Sequence, residues 1–243
     1  MAAYWDWSAL DKRIKARCET ADYRKAISPL NSIQQNQMYC RYHYKEYKRL
    51  NQEHLEAFKN EGLGARGLVN RVLIPDEKEQ FFKVACEAHI NAFLRNLHSG
   101  TDLLAHVVYF CLDFDHDNEL KLNQRSISLS TLVKKLDDSK KYSSLKNLLK
   151  KYTDGEDYKY FFAWGNHTKH WSNITCQLTY YLKEVDSGIY SWDFEPFVYS
   201  GNSYPRMEVM KFIEREYDRQ SELLPKIIKE VDFLNAQLIG LEL

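Results

Sequence analysis

Residues 75–112 read PDEKEQFFKVACEAHINAFLRNLHSGTDLLAHVVYFCL, and this stretch decides the fold. Pro75 suits a first helical turn, where a backbone N–H has no partner to lose. Asp76 and Glu77 put negative charge at the positive end of the helix dipole. Phe81, Phe82, Val84, Ile90, Phe93, Leu94, Leu97, Leu104, Val107 and Val108 recur around more than one face. A helix apolar over most of its circumference belongs at the centre of a fold, so this one is predicted to run to about Leu112 as the central helix.

The surrounding composition agrees. Only 9 Gly and 5 Pro interrupt 243 residues, which favours long helices over many short strands. On the N-terminal side, residues 3–20 predict a polar helix with a partial stripe of Trp5, Leu10 and Ile14, followed by an interruption at Pro29. Residues 31–60 predict an aromatic-rich helix closed by Gly62 and Gly64. Its Met38, Tyr39, Tyr42, Tyr47, Leu50, Leu55 and Phe58 read as a core face, with a base-stacking platform as the sharper alternative.

On the C-terminal side, Asp113, Asp115, His116 and Asp117 form an acidic run. Its spacing fits no calcium loop, so a solvated loop is the simpler reading. Seven lysines between Lys134 and Lys151 alternate with leucines, predicting short amphipathic helices with a basic outer face. That face is either solvated or available to phosphate. Asp154-Gly155-Glu156 opens a further helix reaching Trp171. Ile174, Cys176, Leu178, Tyr180 and Leu182 then alternate with polar residues, which is strand periodicity. A turn near Asp186-Ser187-Gly188 and a second apolar run at 189–198 complete a predicted β-hairpin. Gly201-Asn202-Ser203, with Pro205 in the first turn, is predicted to cap a last helix reaching Leu238. The expected architecture is a mainly α helical bundle with one β-hairpin inserted before the last helix. It is a single domain over 1–243, with 1–75 as an N-terminal helical extension and 76–240 as the core.

Several function classes are excluded by what is missing or balanced. Lys+Arg and Asp+Glu are 34 each, unlike the basic excess of a non-specific DNA binder. The chain has no Walker loop, no GxGxxG after a strand, no HExxH and no GxSxG. Five cysteines without a CxxC pair argue against a zinc or disulfide framework and read as thiols of a reducing compartment. With no basic-then-apolar leader and no apolar stretch near 20 residues, a cytoplasmic protein without membrane association is expected.

Chemistry concentrates at Gly165-Asn166-His167-Thr168-Lys169-His170. In a helix, Asn166, Lys169 and His170 share one face at i, i+3 and i+4. Imidazole is the side chain suited to moving a proton near neutral pH, and an ammonium holds an anion. A solvated face with one packed histidine is the plain alternative. A metal shared by His167 and His170 lacks a third ligand. In the central helix, Arg95, His98 and Asp102 recur at i, i+3 and i+7. They form either a polar network that fixes register or a substrate-binding face whose Arg95 reaches toward His170. Arg49 and His54 also match an Arg-x4-His spacing, but five residues put them about 140° apart around a helix.

The Asn-x-x-Lys-His run at the end of one helix resembles the signature of HEPN-like proteins, whose fuller motif is Arg-Asn-x-x-x-His. The long helix before it, the hairpin and the long final helix are similar in order too, over roughly residues 78–238. The resemblance implies a helical bundle that dimerises with its motifs facing each other. In active members it implies metal-independent RNA cleavage. Carried onto this chain, His170 matches the family histidine and Asn166 the polar residue, while Gly165 stands where the arginine falls. His170 is then the expected general acid or base on a ribose 2′-OH, Lys169 the cation at the phosphorane, and Asn166 the orienting group. Lysine lacks the bidentate fork of arginine. Two readings therefore stand open: a ribonuclease of toxin or phage-defence type, or an inactive HEPN-like module binding RNA, a nucleotide or a protein. RNA and a second copy of the chain are the expected partners, with no cofactor and no metal.

Overall fold

The computed structural model describes residues 7–60, 73–137, 139–180 and 190–240. Trp5, Gly62, Gly64, Leu182 and the turn near Asp186-Ser187-Gly188 lie outside them. The fold is mainly α, with a small antiparallel insertion before the last helix. The helices are α1 (Ser8–Arg17), α2 (Thr20–Asn60), α3 (Glu77–Cys111), α4 (Leu129–Lys135), α5 (Ser143–Thr153), α6 (Glu156–His170) and α7 (Val209–Leu238). Strands β1 (Cys176–Tyr180), β2 (Tyr190–Phe194), β3 (Phe197–Tyr199), β4 (Asn202–Tyr204) and β5 (Met207–Glu208) separate α6 from α7. No described helix is long and apolar enough to cross a membrane.

The central helix starts as its sequence predicts. Asp76 Oδ1 accepts from the backbone N–H of Glu79 at 2.7 Å, answering one of the amides a helix start leaves unpaired. Its first turns depart from the prediction: Phe81 and Val84 are 71% and 67% exposed, and burial begins in earnest at Phe82, Cys86 and Ile90. In α2 the predicted interruption at Pro29 does not occur. The helix runs through it, with Ala26, Leu30 and Ile33 fully buried around the proline. An interior proline costs about 3 kcal/mol. Burying a leucine or an isoleucine returns about 1.5–3 kcal/mol each, so packing outweighs local propensity.

The chain divides into two compact units, and both draw residues from either side of position 75. The first comprises residues 1–37, 97–159 and 215–243. Its core is built from Leu10, Ile14, Leu30, Ile33, Val107, Val108, Leu145, Leu149, Ile227 and Val231, all nearly inaccessible. Arg13 pairs with Asp232, and Arg17 donates to the carbonyl of Cys111 at 2.9 Å. A buried polar group sits among the helices. Glu216, fully inaccessible, accepts two bonds from Arg219 and one from Gln220, each 2.7 Å, and Tyr152 donates to Gln220 at 2.7 Å. Leu132, Leu136, Leu145 and Leu149 are buried beneath the lysine-rich segment, whose Lys146 and Lys150 approach Asp137 at 3.6 and 3.3 Å. The acidic loop after α3 is held by local pairing. His116 meets Asp113 at 2.8 Å, and Asp117 caps the N–H groups of Glu119 and Leu120.

The second unit comprises residues 38–96 and 160–214. Here α2 and α3 run antiparallel, tied by Cys40 to Phe93, His43 to His89, Asn51 to Cys86 and His54 to Glu79. The sheet order is β1-β2-β5, all antiparallel, with β3 and β4 forming a separate hairpin. That hairpin corrects the predicted cap at Gly201-Asn202-Ser203. Ser200 and Gly201 have φ of 49° and 77°, the two positive values a type I′ turn requires. They reverse the chain so that Phe197 stacks on Tyr204, centroids 4.9 Å apart. The last helix therefore begins only at Val209. The ring of Tyr160 gathers Phe194, Phe197, Tyr204 and Phe212 around it, which anchors the insertion to α6.

Candidate functional site

Helix α6 positions the residues of the Asn-x-x-Lys-His run. Phe161, Ala163, Trp164 and His167 are its buried side. Positions offset from these face outward, so Phe162, Asn166, Lys169 and His170 form one stripe at i, i+4, i+7 and i+8. Phe162 is 43% exposed, Lys169 and His170 are exposed, and Asn166 is half-buried. Trp171, one residue beyond the helix, is 70% exposed. The Asn166 amide donates to the carbonyl of Phe162 at 2.9 Å, so it is engaged with its own helix.

His167 is the histidine of this segment that packs inward. Its Nδ1 lies 3.0 Å from the carbonyl of Ser172, and its ring meets Phe197 edge-on at 5.5 Å. Among the described residues no group of three His, Cys, Asp or Glu side chains is placed to hold a metal. Arg95, exposed on α3, donates to Asn173 Oδ1 at 3.0 Å, which brings a guanidinium to the segment three residues after His170. The face predicted from spacing alone does not share one environment. His98 is buried and lies 3.7 Å from Asp102, whose side chain is 53% exposed, whereas Arg95 is exposed.

The aromatic residues of α2 also sort differently from the prediction. Tyr47 and Phe58 are core, but Met38, Tyr39 and Tyr42 are 54%, 44% and 55% exposed. Arg49 points to solvent between Glu46 and Glu53, while the side chain of His54 is nearly inaccessible.

Two features were not signalled by any sequence motif. The first is a buried polar triad. Glu79, 2% exposed, accepts from His54 Nε2 at 2.8 Å and from the hydroxyl of Tyr180, with Lys83 Nζ at 3.7 Å. Burial pushes the Glu79 carboxyl up, but the hydrogen bonds from His54 and Tyr180 and the charges nearby outweigh it, and the net shift is downward. His54 stacks flat on Phe82, centroids 3.7 Å apart. The second is an open cleft of about 770 Å³ between α2 and the strands. Only the pairing of α2 with β2 in three dimensions creates it, and no local pattern announces that.

No protein-family model, no curated protein and no solved structure matches the chain.

Proposed function

We propose that the outward face of α6 is an RNA-binding surface and that the chain is a HEPN-like module that binds RNA without cutting it. The observation that carries this reading is the exposure of two large aromatic rings, Phe162 and Trp171, beside Lys169, His170 and Arg95. Exposed aromatic rings offer π-faces on which unpaired bases stack, and the cations neutralise the phosphates between them. A local cluster of cations is compatible with a chain of zero net charge.

A cleaving version uses the same face. His170 would move the proton of a ribose 2′-OH, with Lys169 and Arg95 at the phosphate and Asn166 as the orienting group. Arg95 at Asn173 favours it, because it brings the guanidinium missing at Gly165 to that end of α6. The engaged Asn166 amide favours binding alone. A cytoplasmic homodimer with α6 facing α6 is the assembly that goes with either version.

The test is fluorescence anisotropy of a labelled single-stranded RNA with the full chain, with Trp171→Ala and with Lys169→Ala/His170→Ala. A stacked base is worth about 1–3 kcal/mol, so Trp171→Ala is expected to weaken binding by about 5- to 150-fold. Unchanged binding in both variants, or none in the native protein, refutes the assignment. EDTA-resistant cleavage of the same RNA that is lost in His170→Ala would select the nuclease version.

A further inference from the structure

Two contacts along the antiparallel seam of α2 and α3 use imidazoles, and they differ in kind. His54 meets a carboxylate, Glu79. Eleven residues before it on α2, about 16 Å away along the helix, His43 meets a second histidine. Its Nδ1 lies 3.0 Å from Nδ1 of His89 on α3, and the ring centroids are 5.3 Å apart. The 2.3 Å difference between these figures is one ring radius at each end. The two nitrogens therefore aim at each other head-on.

Such a contact holds one hydrogen. One Nδ1 carries it and the other offers a lone pair. A proton added to the donor ring goes to its Nε2, and the bond becomes charge-assisted. A proton added to the acceptor ring as well takes up the lone pair and sets two cations face to face. The pair thus accepts a first proton with its bond intact and a second only by parting.

The surroundings do nothing to offset that second charge. Burial and the facing His89 both push the pKa of His43 below the ordinary 6.5. The Tyr42 ring stands T-shaped against both imidazoles, at 5.2 and 6.1 Å. Charged and titratable groups on the neighbouring turns are engaged elsewhere. Glu46 pairs with Arg49, Tyr44 and Lys48 with Glu214 of α7, and Glu87 with the backbone of Cys176 in β1. The seam contacts on either side are neutral, from Cys40 to the Phe93 carbonyl and from Asn51 to Cys86.

We infer that His43 and His89 form an acid-sensitive latch between α2 and α3, closed while the pair holds at most one added proton and opened by the second. The sign follows from proton counting. The parted rings take up two protons at the ordinary value and the closed pair takes one, so falling pH drives opening. With one proton more in the open form, the opening constant rises about tenfold for each pH unit below about 6.5. His54 and Glu79 respond differently. That carboxyl stays ionised to below its ordinary 4.5, so its end of the seam remains shut over the same range. The seam parts at one turn, not along its length. The latch uses none of the α6 residues assigned to RNA and does not depend on that reading.

The test is hydrogen exchange of the full chain between pH 7.5 and pH 5, corrected for the intrinsic rate at each pH. Amides of residues 41–47 and 86–91 are expected to lose protection about tenfold per pH unit below about 6.5, while those of residues 51–55 hold theirs. His43→Asn and His89→Asn each keep a hydrogen-bonding side chain without a titrating one. In both, protection at residues 41–47 and 86–91 should no longer vary with pH, whatever its level. A second measurement needs no variant: NMR titration of the native histidines should show the two rings charging in separate steps. Protection that is independent of pH in the native protein overturns the inference. So does an equal loss in both variants, or a single shared step near 6.5 in the titration.

Discussion

His54 on α2 holds Glu79 on α3 across 2.8 Å, with both side chains nearly sealed from solvent. The bond joins the end of one long helix to the start of the next, and Tyr180 of β1 closes on the same carboxylate. A buried carboxylate is tolerated only while its partners remain, because removing one leaves a charge without compensation.

Truncation of that partner should therefore be costly. His54→Ala is expected to lower unfolding free energy by about 3–5 kcal/mol, read from the urea midpoint at pH 7. Glu79→Gln keeps the shape and should cost less. A loss from His54→Ala that is as large in the Glu79→Gln background as in the native protein would mean that packing against Phe82, and not the bond to the carboxylate, carries the effect.

The same carboxylate sets an acid limit. Its folded pKa lies below the ordinary value of 4.5, so its contribution is complete above that value and is lost as pH falls through the folded one. Asp157 behaves alike, because the Arg215 hydrogen bond lowers it against an opposing effect of burial. Midpoint denaturation between pH 7 and pH 3 should show stability falling below about pH 4.5. The slope should be shallower in Glu79→Gln.

A second buried charge makes the matching prediction for the other unit. Arg219→Met strips Glu216 of both its guanidinium bonds. The expected loss is about 3–5 kcal/mol. The double variant Glu216→Leu/Arg219→Met should recover most of it, since no buried charge is left unanswered. A double variant as unstable as the single one would rule out an electrostatic origin.

The tight turn of the β3–β4 hairpin can be tested by backbone chemistry alone. Gly201 has φ of 77° and open space where a Cβ would stand, so Gly201→Ala meets strain but no clash. A loss of about 1–2 kcal/mol is expected. Ser200→Asn should gain a few tenths of a kcal/mol, about the preference of Asn for this position. Thermal melts resolve both signs.

RNA binding should depend on salt as counterions are released. The slope of log affinity against log salt is about −0.7 per neutralised phosphate on a single strand. Lys169→Ala is expected to flatten it by about that amount, while Trp171→Ala should weaken binding at every salt concentration without changing the slope. A flat salt profile in the native protein would argue that phosphates are not the ligand.

The helices were legible because each leaves a local mark. Asp76 before an apolar run and the breaker-free stretch to Asn60 are read one turn at a time. Pro29 looks like a break in sequence because its penalty is local, whereas what overrides it, the burial of Ala26, Leu30 and Ile33, is not. Gly201 is ambiguous in sequence because a glycine near Ser and Pro fits a helix cap and a type I′ turn equally well. Only the partner strand decides between them. At the candidate site, helical spacing put Asn166, Lys169 and His170 together on one face. The partners of Arg95 and His54 belong to distant segments, and spacing along the chain says nothing about those.

Four of the five cysteines are buried, and burial holds their thiols protonated. Cys86 and Cys111 are pushed up to about 12, and Cys40 and Cys176 are raised as well. Only thiolate reacts with alkylating reagents at useful speed. Each buried sulfur therefore stays silent until its surroundings open, and then reports the moment. Cys111 belongs to one unit, and Cys40, Cys86 and Cys176 to the other. Mass-resolved labelling over time would thus run two clocks in one molecule, and their difference would tell whether the halves of this fold breathe together or apart.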